Sequence, residues 1–330
     1  MRVVIAFAVV AIIAGCGKKA EHTGPAAEIT GLAAVPANAE VVIAADVAKL
    51  SASSIIERAV EQLLLRDGKL ADAWKQVREG CKIDIKKQVK HVMLALGPNA
   101  PGARPGTGPA LMIATGTLPE TDLSDCIGKL VGKGGGSVTG RDVAGRTVYQ
   151  VKDGARTMFY AYGRPDTVVL GTTEAYVIEA IGAGAKLPGN PEFAAWLKLV
   201  DQASPVWAVG RVDDRVRAGL VKVLPGLKAG PSAIFGTIDP REGAKLELGA
   251  VMASDEDAKQ LESFTNDQKK LFVMVAQQRA LGSLVNKVAI QQGANIVRFH
   301  APLDMDDVNH LLSMLDGGAP AEQDSHPAPK

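Results

Sequence analysis

Pro36-Ala-Asn-Ala-Glu-Val-Val-Ile-Ala-Ala-Asp46 decides the fold: a turn, then a short β-rich run, then a charged residue that closes it. The same opening returns over 205–212, where a second such run is closed by Asp213-Asp214. Outward from the first copy, Ile55, Ile56, Ala59, Val60, Leu63 and Leu64 recur at helical spacing, and a second helical stretch over 71–77 stops at Gly80. Strands over 91–97 and 110–118 flank a Pro/Gly-rich loop. A helix opens at Thr121-Asp122 and stops at Gly134-Gly135-Gly136. Strands over 147–152, 157–162 and 167–171 and a helix over 173–181 complete the half.

Outward from the second copy come a helix to Leu224, a hairpin over 232–238 and 244–252, and a long helix from Ser254 to about Leu281. Strands over 284–291 and 295–301 and a helix over 304–315 follow. Both halves read β-α-ββ-α-ββ-α, the first with one additional strand. The expectation is an α+β protein of two similar modules, 36–189 and 190–316, with antiparallel sheets and helices packed on one face. Phe193, Trp196, Leu197 and Val200 mark a helix that packs against both halves. The segment 317–330, rich in Pro, Ala and Gly, is expected to be disordered.

Residues 1–15 read as an export signal. Arg2 is followed by an unbroken apolar run from Val3 to Ile13, too short to span a bilayer, ending in small residues. The tetrad Ile13-Ala14-Gly15-Cys16 resembles the lipobox of bacterial lipoproteins. That resemblance implies cleavage before Cys16, acylation of its thiol and amine, and anchoring in membrane lipid. Two or more acyl chains suffice for stable anchoring. Residues 16–35 are then a tether, and Gly17 in place of Asp favours the outer membrane over the inner. Pro36, Asn38, Ala39, Val42, Asp46 and Leu50 also resemble the phrase that follows the tether in envelope lipoproteins of unknown function. This implies a body facing the periplasm and supplies no catalytic residues.

Composition narrows the function. Among 330 residues, 37 basic and 36 acidic side chains give a net charge of +1, which removes the electrostatic case for a nucleic-acid partner. Lys133 behind Gly128 and Gly132 has neither the spacing nor the Ser/Thr of a phosphate loop and reads as a helix stop. Asp304, Asp306 and Asp307 lack the glycine and distal glutamate of a calcium loop and read as first-turn acids. His22, His91, His300, His310 and His326 show no metal-ligand spacing, and no nucleophile elbow occurs. No metal or cofactor is called for.

Cys81 and Cys126 remain once Cys16 is acylated. They form either a disulfide, which an oxidising compartment permits, or two buried thiols. Met158, Tyr160 and Tyr162 alternate along one strand and Tyr149 lies on its neighbour. They are either a ligand face or packing beneath a helix. The leading expectation is a non-enzymatic structural or partner-binding lipoprotein of the envelope. The alternatives are a carrier or sensor of a small apolar ligand and, third, a hydrolase without a recognisable motif.

Overall fold

The computed structural model describes residues 29–316 apart from 82, 105, 225 and 278–281. The signal segment, Cys16 and the segment 317–330 lie outside the described residues.

The first half contributes β1 (Val41–Asp46), β2 (Val89–Leu96), β3 (Ala110–Gly116), β4 (Ser137–Val143), β5 (Arg146–Asp153), β6 (Arg156–Arg164) and β7 (Thr167–Gly171). The second contributes β8 (Val206–Arg211), β9 (Ala233–Asp239), β10 (Ala244–Val251), β11 (Ala289–Gly293) and β12 (Ile296–Leu303). Helices α1 (Val47–Ser51), α2 (Ser54–Arg66), α3 (Gly68–Lys75) and α4 (Ile85–Gln88) lie between β1 and β2, and α5 (Glu120–Lys133) follows β3. Helices α6 (Glu174–Ile181) and α7 (Pro191–Leu197) link the halves. Helix α8 (Asp214–Val223) follows β8, α9 (Asp255–Gln277) and α10 (Gly282–Lys287) precede β11, and α11 (Met305–Asp316) comes last.

The architecture is α+β, with every strand pair antiparallel. The halves do not form separate sheets. They join through β1 and β8 into one twelve-stranded sheet of order β11-β12-β10-β9-β8-β1-β2-β3-β7-β6-β5-β4. From that central pair the order runs β1-β2-β3-β7 on one side and β8-β9-β10-β12 on the other, so the last strand of each half returns beside its third.

Helices pack on both faces of the sheet rather than one, over the centre of the front face and over the two flanks of the back face. On the front face, directly paired Val42, Val209 and Phe235 pack in one cluster with Tyr176 and Val177 of α6 and Phe193 and Trp196 of α7. On the back face α5 covers the β5–β7 flank, and α9 packs near β10 and β12.

Three further expectations need correction. Ile29, Ala34 and Val35 are buried in the front cluster, so residues 29–35 belong to the folded body and not to the expected tether over 16–35. Ser137–Val143, which carries only two half-buried valines, is the edge strand β4. The run at Leu284-Val285 belongs to α10, and the strand begins only at Ala289.

Helix α9 is fixed at its start by a buried network. Ser254 Oγ accepts from the Asp257 amide at 3.1 Å and donates to Asp257 Oδ2 at 2.8 Å, while Asp257 Oδ1 accepts from the amides of Lys228 and Ala229. Burial pushes the Asp257 carboxyl up, but these donors hold it below the usual carboxylate range. A lowered folded-state pKa means that this stabilisation is complete above the unfolded value of about 3.9. It is lost as pH falls through the lower folded value. Asp257→Ala is expected to cost about 1–3 kcal/mol at neutral pH, read from the urea midpoint, with the deficit shrinking in acid.

Candidate binding surface

The tyrosine face is covered. Tyr149 and Tyr160 stack with ring centroids 4.6 Å apart, and Tyr160 and Tyr162 are 1% and 8% exposed in the cluster beneath α5. Their hydroxyls are engaged locally: Tyr149 donates to Glu120 at 2.9 Å, Tyr160 to Ser124 at 3.1 Å, and Tyr162 to the Leu118 carbonyl at 3.0 Å. Burial pushes the Tyr160 and Tyr162 hydroxyls up, which keeps them neutral donors. Met158 alone of the four is well exposed. The three tyrosines therefore pack beneath α5, and of the expected ligand face only Met158 is open.

Cys81 and Cys126 are joined by a disulfide with Cα atoms 4.9 Å apart. The bond ties the turn Gln76–Gly80, which follows α3, to α5.

The acidic and histidine candidates are occupied in capping or dispersed. Asp304 and Asp307 exchange bonds with each other's amides at 2.9 Å, and Lys287 pairs with Asp304 at 2.7 Å and with Asp307. Asp46 caps α1 by accepting from the Lys49 amide, and His91 lies 3.8 Å from Asp46 and 3.4 Å from Thr115. His300 is on β12 and His310 on α11. Among the described residues no three His, Cys, Asp or Glu side chains come together to hold a metal. His22 and His326 lie outside those residues.

A feature that strand-by-strand reading missed is a bare apolar strip across the middle of the back face. The register row that holds Tyr160 on the covered flank continues through Ile43, Ala208, Gly236 and Leu248 to Phe299. At its centre the helices are absent. Ile43 is 37% exposed, Ile234 46%, Ile238 43% and Leu248 51%. Neither α1 and α2, which follow β1, nor α8, which follows β8, buries a single residue.

Ala208 and Gly236, directly paired, form a low floor between Ile234 and Ile238, with Ile43 on one side and Leu248 on the other. The result is an open groove of about 570 Å³. Contiguous exposed apolar surface of this kind marks interaction sites on otherwise polar proteins. The strands beneath it are interior, their backbone groups already paired on both sides, so recognition there falls to side chains.

Among the described residues no helix is long and apolar enough to cross a membrane. No family model matches the chain, and no curated protein matches it. Among solved structures, "Structure of crystal form I of TP0453" is similar over 88% of this chain and 99% of that chain, at 14% identity and a TM-score of 0.46.

Proposed function

We propose that this chain is a lipid-anchored protein of the bacterial cell envelope. It is held in the membrane by acylated Cys16, faces the periplasm, and binds an envelope protein partner without catalysing a reaction. The binding role rests on one observation, the bare apolar strip centred on Ala208, Gly236 and Leu248. The address rests on Ile13-Ala14-Gly15-Cys16, and the Cys81–Cys126 bond fits an oxidising compartment. Gly17 favours the outer membrane. The same reading treats the two halves as copies of one topology, supported by the matched strand order on either side of β1 and β8. The hydrolase reading gains nothing from Asp46, Asp257, Asp304 or Asp307, which are engaged in caps.

Two measurements test this. Intact-mass analysis should find Cys16 as the first residue of the mature chain, carrying lipid, and Cys16→Ser should leave an uncleaved or unanchored form. An unmodified N-terminus elsewhere would contradict the address. Leu248→Glu should leave the melting temperature nearly unchanged, because the site is half exposed. On native electrophoresis of mild-detergent extracts, the wild-type chain should migrate in a larger assembly and the variant should not. Equal mobility of the two would contradict the binding role of the strip.

A further inference from the structure

Helix α2 presents Ile56, Val60 and Leu64 at positions i, i+4 and i+8, the spacing of a core-facing stripe. Yet no residue of α2 is buried. The stripe lines a pocket of about 690 Å³ whose other walls are Trp74 of α3 and Ile83 and Ile85 around the start of α4. That volume lies within the range of small-molecule sites, about 300–1,000 Å³. Val47 and Leu50 of α1 add to the apolar lining, and the acid Glu61 of α2 lines the pocket as well.

Most of the rest of the lining is charged: Glu57 of α2 and Lys86 of α4 pair at 3.0 Å, and Asp84 pairs with Lys87 at 3.4 Å. Arg78, on the turn Gln76–Gly80, also lines the pocket, is exposed, and has no ion pair or hydrogen bond among the described residues. The Arg78 wall is fixed covalently to α5 by the neighbouring Cys81–Cys126 bond. Helix α2 is held by polar contacts such as Ser53 Oγ to the Pro240 carbonyl and Arg58 to Asn309.

We propose that this pocket is a binding site for a fatty acid. The hydrocarbon chain lies beneath α2 against Trp74 and Ile83, and the carboxylate meets the Arg78 guanidinium, whose fork matches a carboxylate bidentately. The proposal rests on the non-enzymatic binding reading but not on the strip, so the two can fail separately.

The test uses the full chain with its disulfide intact and cis-parinaric acid as the fluorescent probe. Saturable binding is expected, displaced by palmitic acid. Arg78→Ala should weaken it about tenfold and Arg78→Lys less, because a charge-assisted bond to the carboxylate is lost. Val60→Trp, which fills the pocket, should abolish binding, while Leu248→Glu in the strip should not change it. Phosphatidylcholine vesicles should compete weakly, since the site takes one chain and a free carboxylate.

Absence of saturable binding, or binding indifferent to both Arg78→Ala and Val60→Trp, would overturn the proposal. Loss on Leu248→Glu would move the ligand to the strip and overturn it equally. Preferential competition by vesicles would show a phospholipid in place of a fatty acid.

Discussion

Phe193→Ala is expected to destabilise the whole body by about 3–5 kcal/mol, the cost of emptying a buried aromatic site. Phe193 is 0% exposed and meets Trp196 edge-on with ring centroids 5.1 Å apart. Helix α7, which carries both, is tied to each half. Its N-cap Asn190 donates to the Ala37 carbonyl at 3.1 Å, and the Arg211 guanidinium at the end of β8 lies over the Trp196 ring at 5.2 Å. Because residues of both halves share the front cluster, the urea curve should shift as one transition for wild type and variant alike. Two separated transitions, or a loss below about 1 kcal/mol, would show that α7 does not join the halves into one core.

Reducing the Cys81–Cys126 bond, or replacing either cysteine by serine, is expected to cost about 2–5 kcal/mol. The partners are 45 residues apart in sequence, so the bond removes considerable freedom from the unfolded chain, and the chain-entropy account gives about 4 kcal/mol. The effect should be largest around the α1–α4 segment, where α2 and α4 bury no residue and the short turn at Cys81 is the covalent fixture. Urea midpoints with and without reductant, and hydrogen exchange over 54–88, measure this. Unchanged midpoints, or two free thiols on alkylation of the unreduced denatured chain, would contradict it.

The parts of the fold that were legible in the sequence were those with local signals. Val-Val-Ile-Ala-Ala bounded by Asp46, the β9–β10 hairpin around Asp239-Pro240, and the glycines after Lys133 each carry a turn, cap or stop that acts within a few residues. What escaped depends on packing. Alternation along β6 shows that Tyr160 and Tyr162 share a face, but not that α5 lies on it. Ile29 and Val35 looked like linker because burial comes from strands far away in sequence. The edge strand β4 has little apolar alternation of its own. The strip was the hardest to read, because Ile43, Ala208 and Leu248 have the pattern of core residues. Only the absence of a helix over the centre of the sheet exposes them.

The central claim is that this strip contacts a partner in the envelope. The most direct measurement places a photo-crosslinking amino acid at Leu248 in the chain as produced in its own cells, with Lys133 at the exposed end of α5 as the control. The account predicts one discrete protein adduct from position 248 and none from position 133. No adduct from position 248, or the same adducts from both positions, would contradict it.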